Sequence, residues 1–500
     1  MKTRFKFGRQ LIVLGLLGLA ICISVRAQGF DDIKRQAPVR EVGPERQLFL
    51  DDWLIDRIEN AARWVHVARK APENPIFKAE RPWEGNRILY SNVIYDEKER
   101  LYKLWYNVRP ESTNYLCLAT SADGIRFRRP ELGLREFEGS RKNNLLVIPE
   151  DITEIRVFYD DHDPERPYKM ALMKYDTYGI GVGWSSDGLQ WESHPYPVIV
   201  PAGDGLSTPF WDQRRERYVY YHRPNAGHVL RWSKIRTPEA YPTRLVGLAE
   251  SFNFTLWTDL KEVVVPDERD GAGTEFYYMP VFPYESGYVG VLIVYHEYTG
   301  DPEFMDGFNF TLDAQLTFSR DGRKWTRVGD RHIFLKGTPG TWEGKRVYPE
   351  CAVLRDEEIR IYYRGSSVPH RNLFALVGTE YKGRILEGDA LGLARLRPDG
   401  FVSVRAGEEE GLLTTWPLRF QGGELRVNVD AAGGSLRVEA LTQFGKPLAG
   451  FEREACRPIE GNGVGQKVQW DGGRRLDELG QPVRLRFILK NADLYSFQIR

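Results

Sequence analysis

Several polar residues in this 500-residue chain recur at one place relative to short strand-like runs. Asp204 precedes Pro209-Phe-Trp-Asp212, Glu275 precedes Pro280-Val-Phe-Pro283, and Glu350 precedes Val353-Leu-Arg-Asp356. Asn92 and Glu154 stand likewise before Val93-Ile-Tyr-Asp96 and Val157-Phe-Tyr-Asp160. A second set closes the runs that follow: His222 and Arg223 after Tyr221, His296 after Tyr295, and Arg364 after Tyr363, with His370 shortly beyond in a Ser/Pro loop. Two carboxylates converging on an acetal can cleave it, one protonating the leaving oxygen while the other attacks the carbon or activates water. A separation of about 5 Å implies retention of configuration, and about 6.5 to 9.5 Å inversion. Glu350 and Glu275 are the candidate acid/base pair, and Asp204 is a third carboxylate that orients the substrate or tunes a neighbour's pKa. Asn92, Glu154, His222, Arg223, His296, Arg364 and His370 are candidate ligands for hydroxyl groups, and the many aromatic residues suit the apolar faces of sugar rings. Plainer roles stay open. Glu350 can pair with Arg364 or Arg346, Glu154 with Arg156 two residues along the same strand face, and His222 and His296 can be hydrogen-bonded core residues. No close spacing completes a metal site.

These residues converge only if the runs surround a common axis, and internal repeats supply that arrangement. Ser121-Ala-Asp-Gly-Ile-Arg-Phe127, Ser185-Ser-Asp-Gly-Leu-Gln-Trp191, the degenerate Ser251-Phe-Asn-Phe-Thr-Leu-Trp257 and Ser319-Arg-Asp-Gly-Arg-Lys-Trp325 have serines 64, 66 and 68 residues apart. Leu396-Arg-Pro-Asp-Gly-Phe401 is a weaker fifth echo. The Asp-Gly pair supplies a tight turn with a positive-φ position, Ser or Asp caps backbone donors, and the aromatic packs between sheets. Each copy follows a series of strand-like runs, as in Asn92–Tyr95, Leu101–Tyr106, Tyr115–Ala119 and Ile125–Phe127. Four strands repeated five times predict a five-bladed β-propeller over 81–407, whose innermost strands line a central channel. After Gly411, alternating strands such as Leu425–Val429 and Ser435–Ala440, with turns at Gly433-Gly434 and Asp471-Gly472, predict a small β-sandwich over 408–500. The fold class is therefore all-β. A further echo, Trp83-Glu-Gly-Asn-Arg87 and Trp342-Glu-Gly-Lys-Arg346, leads into the first and fifth inner strands, and its Glu84 and Glu343 read as solvated loop residues.

Residues 1–27 carry Lys2, Arg4, Lys6 and Arg9, then an apolar run, then Val25-Arg-Ala27, the pattern of a secretory signal peptide. Ile21 before Cys22 stands where a lipoprotein signal needs a small residue. The expectation is a secreted or periplasmic chain with no membrane anchor after cleavage, and residues 28–80 form a segment packing on the propeller. With 70 basic and 70 acidic residues the net charge is zero, which argues against nucleic acid or an anionic membrane as a partner and fits a polar, uncharged substrate. Cys117, Cys351 and Cys456 make no disulfide framework and no CxxC metal cluster; Cys351 as a nucleophile would need a base beside it, and its plainer reading is a small buried hydrophobe in a strand.

Propeller plus sandwich, with the SxDGxxW hairpins and Arg397-Pro-Asp-Gly-Phe401, resembles the secreted glycoside hydrolases of families 32, 43 and 68 and their relatives. The resemblance implies hydrolysis of a polysaccharide or oligosaccharide, with furanosides among the substrates. It implies no cofactor beyond a structural calcium in the channel, which some family-43 relatives hold. The chain departs from family 32: the Asn-Asp-Pro motif is missing, His162-Asp-Pro164 lies at the exit of an inner strand, and Glu350-Cys351 falls in the fifth blade instead of the third. A non-catalytic carbohydrate-binding propeller is the alternative, favoured if arginines pair off the channel carboxylates. A sialidase fits less well, since its Asp-box has Ser-x-Asp-x-Gly spacing and six blades, and glycoside phosphorolysis fits an exported chain less consistently.

Overall fold

The computed structural model describes residues 38–111, 113–149, 154–174, 177–224, 244–270, 274–296, 311–370 and 389–500; the expected signal peptide lies outside them. No α-helix occurs among the described residues, only strands and short 3-10 turns. The strands read from the repeats form antiparallel sheets in chain order. The first sheet joins Leu89–Asp96, Leu101–Val108 and Tyr115–Ser121. Ile155–Tyr159, Tyr168–Lys174, Gly179–Ser185 and Glu192–Ser193 make the second, and Phe210–Asp212, Arg217–His222, Val246–Ser251 and Lys261–Val264 the third. A fourth group centred on Gly287–His296 and Thr311–Ser319, and a fifth centred on Arg346–Arg355, Glu358–Ser366 and Ala390–Leu396, are fused by one parallel pairing, Leu312 with Arg346.

The second strand of each group is buried along nearly its whole length, as Leu101–Val108 and Gly287–His296 show. Continuous apolar runs are required because each sheet has a neighbour on both faces. Trp105, Leu116 and Leu118 pack on Val157, Met170 and Leu172; Tyr220 and Ala249 on Ala171 and Met173; Val219 and Tyr221 on Phe276 and Leu292. Val289 and Phe318 meet Val347 and Ile361, and the fifth group returns to the first through Val353, Tyr362 and Leu393 against Val93, Leu104 and Cys117.

The Asp-Gly hairpins tie these neighbours together. Ser121 and Ser185 Oγ accept the N–H of Gly124 and Gly188, each at 2.9 Å, while Asp123 and Asp187 cap the next two N–H groups. The turn carbonyls then accept from the adjacent sheet: Gly124 from Tyr362, Gly188 from Trp105 Nε1 and Gly322 from Tyr221. In the degenerate copy Phe254 takes the positive-φ position and packs on Phe158 and Tyr218.

Three local expectations differ from the structure. The Arg397–Gly400 turn does not lead into a fifth outer strand; Arg69–Lys70, from the N-terminal segment, pairs with Ala390–Leu396, while Val402–Ala406 joins the C-terminal sheet beside Ala61–Val65 and Ala492–Ile499. The reason is Asp399, which is fully buried and accepts from Arg46 Nε, Tyr284 Oη, Asn428 Nδ2 and Ser496 Oγ, so the turn docks the two parts of the chain. No turn forms at Gly433-Gly434, because Leu425–Thr442 runs through it as one strand; a Cβ at Gly434 would meet the Lys490 carbonyl oxygen at 1.8 Å, so the partner strand comes too close for any side chain. Third, Glu84 and Glu343 are buried rather than solvated. Glu84 accepts from Tyr106 Oη at 2.5 Å and pairs with Arg129, and Glu343 pairs with Lys70, so both glutamates anchor their loops.

Candidate functional site

The inner strands bring one set of side chains together, and a repeated backbone device aims three of them. In Leu89–Asp96, Thr274–Tyr278 and Arg346–Arg355 the pairing register shifts by one residue, at Tyr90, Tyr277 and Glu350. Such a bulge leaves one residue outside the ladder and re-aims its side chain. All three enter a common cluster of arginines, tyrosines and carboxylates.

One pole of this cluster holds Glu350. It is 1 % exposed and lies between Arg156 and Arg364, whose Nε is 3.1 Å from Oε1. Arg364 Nη1 also reaches Asp389 Oδ2 at 3.1 Å, and Arg346 Nη2 reaches Asp389 Oδ1 at 2.9 Å. Arg156 donates to the Ser91 and Leu206 carbonyls, each at 2.8 Å, and so ties the first three inner segments to the fifth strand. Glu350 thus pairs with Arg364, as one plain reading had it, but its second partner is Arg156 and not Arg346. Burial pushes the Asp389 carboxyl up, yet Arg346 and Arg364 outweigh it and hold the group below its usual range.

The other pole holds Asp204, Glu275 and Glu154. Asp204 pairs with Arg223, and its side chain is 40 % exposed; Glu275 pairs with Arg244 and is nearly buried. Burial, then Arg244, pulls Arg223 down to about 10. Glu154 accepts from Tyr90 Oη at 2.7 Å and from the Gly205 N–H at 3.1 Å, so Arg156, its expected partner two residues on, is free for Glu350. Every one of these carboxylates therefore faces a guanidinium or N–H and O–H donors.

His370 joins the poles. Its Nδ1 lies 3.0 Å from Tyr348 Oη, and its ring meets Tyr277 and Tyr295 edge-on at 4.7 and 5.3 Å. Burial first, then Arg346, Arg244, Arg223 and Arg364, pushes its pKa well below the usual value, so the imidazole is neutral. Arg156 and Arg364 lie over the Tyr90 ring at 5.0 and 5.1 Å, and Arg364 over Tyr348 at 4.3 Å.

Three expected ligands have described partners elsewhere. His222 is buried, stacks on Tyr220 and bonds the Gly203 carbonyl at 2.8 Å, bracing the Asp204 loop; burial lowers its pKa to about 4. His296 is held by Asp313 at 2.8 Å. Asn92 spans the inner segments, donating to the Val157 carbonyl at 2.6 Å and accepting from Thr208. The Cys351 thiol receives the Val93 N–H at 3.2 Å and is pushed up to about 12 by burial, which suits packing and not nucleophilic attack. Tyr90, Arg87, Arg244, Tyr277, Tyr348 and Asp389 belong to the cluster but were not candidates. Arg87 and Arg346 carried a signal, as the final residues of the two Trp-Glu-Gly-x-Arg echoes.

No group of three His, Cys, Asp or Glu able to hold a metal occurs among the described residues, and guanidinium groups face Asp204, Glu275 and Glu350. These residues do not fit a calcium ion. A separate groove of about 830 Å³, lined by Arg63, Trp64, Asp267, Arg327 and Arg331 among others, is laced by the Arg327–Asp270 and Arg331–Asp267 pairs and holds none of these carboxylates.

No protein-family model and no curated protein matches the chain. Similar solved structures include a glycosyl hydrolase from Bacteroides ovatus, 16 % identical with a TM-score of 0.45, covering 71 % of this chain and 97 % of that one. The catalytic domain of a GH62 α-L-arabinofuranosidase from Coprinopsis cinerea is 11 % identical with a TM-score of 0.44, covering 66 % and 97 %. A GH32 β-fructofuranosidase from Bombyx mori is 11 % identical with a TM-score of 0.42, covering 86 % and 95 %.

Proposed function

We propose that the chain is an exported glycoside hydrolase that cleaves a polysaccharide or oligosaccharide where these inner strands converge. In this reading the sheets close as a five-bladed propeller, the cluster lies at its channel mouth, and the C-terminal strands fold over one another as a sandwich. The observation that carries the reading is the convergence of Asp204, Glu275 and Glu154 with Tyr90, Tyr277, Tyr295 and Tyr348 around Arg223 and His370. Carboxylates for acetal chemistry, planar rings for sugar faces and fixed donors for hydroxyls stand within one cluster. Asp204 is the most accessible of the nominated carboxylates and is paired with Arg223, a position that suits a nucleophile or a water-activating base. Glu275, nearly buried and paired with Arg244, is the acid in this reading. Glu350, enclosed by two arginines, holds the donor set in place. The basic, apolar and small-residue pattern of residues 1–27 supports export.

A second reading, a carbohydrate-binding propeller without catalysis, is favoured by one observation: Asp204, Glu275 and Glu350 are each ion-paired with arginine. Digestion of a glycan panel by wild type, Asp204→Asn, Glu275→Gln and Glu350→Gln separates the two. Sugar release by wild type that falls in the first two variants supports hydrolysis. Release that survives all three changes removes the site from consideration, and retained glycan binding with no cleavage of any substrate selects the binding reading.

A further inference from the structure

Both Trp-Glu-Gly-x-Arg echoes end on arginines that approach one carboxylate, and the charge there does not balance. Arg346 Nη2 and Arg364 Nη1 contact the two oxygens of Asp389 at 2.9 and 3.1 Å. The other echo brings Arg87 alongside, since the Asp389 carbonyl accepts the N–H of Ile88 at 2.8 Å and the Asp389 charge acts on the Arg87 guanidinium. Arg156 and Arg364 share Glu350. Four guanidiniums thus stand against two carboxylates among the described residues. The nearby imidazole of His370 is neutral and offers no compensation. Arg87, half-buried, makes no hydrogen bond or ion pair with any described residue, and the buried Arg346 Nε and Arg156 Nη2 have no acceptor among the described residues. Burial, opposed by Asp389 and reinforced by Arg346, Arg364 and Arg109, pulls Arg87 below its usual value. Unpaired donors on surplus buried cations are costly to hold, and an oxyanion that accepts from several guanidiniums at once removes that cost.

We propose that Arg87, Arg346 and Arg364, gathered about Asp389, bind an oxyanion: a carboxylate or sulfate borne by the glycan, or a free phosphate. The two sources share one chemistry, planar N–H forks donating to charged oxygens. Only the choice of a glycan as one source rests on the proposed function. Half-buried Arg87 is the member that meets the incoming anion, and Arg346 and Arg364 stand behind it.

Titration calorimetry on the intact protein at low ionic strength, with sodium phosphate, sodium sulfate, sodium galacturonate and neutral galactose, tests this without turnover. Wild type is expected to bind at least one anion at one site, and Arg87→Gln to weaken that binding roughly tenfold by removing charge-assisted hydrogen bonds. Arg57→Gln, at an exposed arginine, is expected to leave it unchanged. Galacturonate or sulfate without phosphate assigns the site to a glycan substituent, and phosphate alone assigns it to the free ion. Arg346→Gln should abolish binding; if that variant does not fold, Arg87→Gln still decides, because Arg87 has no ion pair with a described residue to lose. Absence of anion binding to wild type at millimolar concentrations, or equal binding by Arg87→Gln, overturns the proposal. An inactive protein that binds the anion would refute hydrolysis and leave this site standing.

Discussion

Replacing Glu350 by Gln keeps the shape of the side chain and removes its charge from between two buried guanidiniums. Arg364 keeps Asp389 at 3.1 Å, so the loss falls mainly on Arg156, left with the Ser91 and Leu206 carbonyls and the rings of Tyr90 and Tyr278. Breaking a buried pair from one side costs about 3–5 kcal/mol, because the remaining charge is desolvated and uncompensated. Unfolding entropy of about 2.1 cal/mol/K per residue gives roughly 1 kcal/mol/K for a chain of this length, so the melting temperature should fall by about 3–5 °C if the described unit melts as one. Calorimetry with a reversibility check reads this directly. Adding Arg156→Met should recover most of the loss, since deleting both partners of a buried pair is often neutral. If Glu350→Gln melted within about 1 °C of wild type yet lost all sugar release, the charge-compensation reasoning would be wrong, and Glu350 would be acting on substrate.

Three further outcomes follow from particular contacts. His222 has its pKa lowered from 6.5 to about 4 by burial, so the unfolded chain takes up the proton first; stability is intact above the unfolded value and is lost as pH falls toward 4. Urea titrations should show wild type losing roughly 3 kcal/mol more than His222→Gln between pH 7 and 4, and equal losses would count against a buried neutral imidazole. Asp399→Asn removes the charge that Arg46 faces and turns part of an acceptor set into donors, so it should lower stability by roughly 2–4 kcal/mol; a melting temperature unchanged from wild type would refute the docking role. Gly124→Ala puts a Cβ 2.6 Å from Tyr362 Oη at φ 72°, whereas Gly133→Ala, at φ 69°, meets nothing within 4 Å. The first should destabilise by about 1 kcal/mol or more beyond the second, and equal effects would deny the sheet-to-sheet contact.

The strands and their order were legible because the Ser-x-Asp-Gly hairpins recur at a near-constant interval and burial on both faces makes the runs continuous. The residues before the inner strands, Glu154, Asp204, Glu275 and Glu350, all lie in the cluster. Register could not reveal the bulges at Tyr90, Tyr277 and Glu350, because one extra residue in one strand leaves no mark on a period-2 pattern. It also misassigned partners. Arg156 lies beside Glu154 in sequence yet pairs with Glu350, 194 positions away, because that pairing depends on how distant sheets stack. His222 shares the strand-end position of the arginines but turns into the interior, where its neighbour Tyr220 stacks on it. The Gly433-Gly434 pair, taken as a turn, records close approach to Lys490 instead.

The central claim, that this cluster cleaves a glycosidic bond, is tested most directly by the rate of sugar release from a responsive glycan by Asp204→Asn, after its melting temperature has been matched to wild type. Asp204 is partly exposed and its charge is held by Arg223, so loss of that charge should slow cleavage by roughly 10²–10⁴-fold while glycan binding persists. Cleavage at the wild-type rate would contradict the claim.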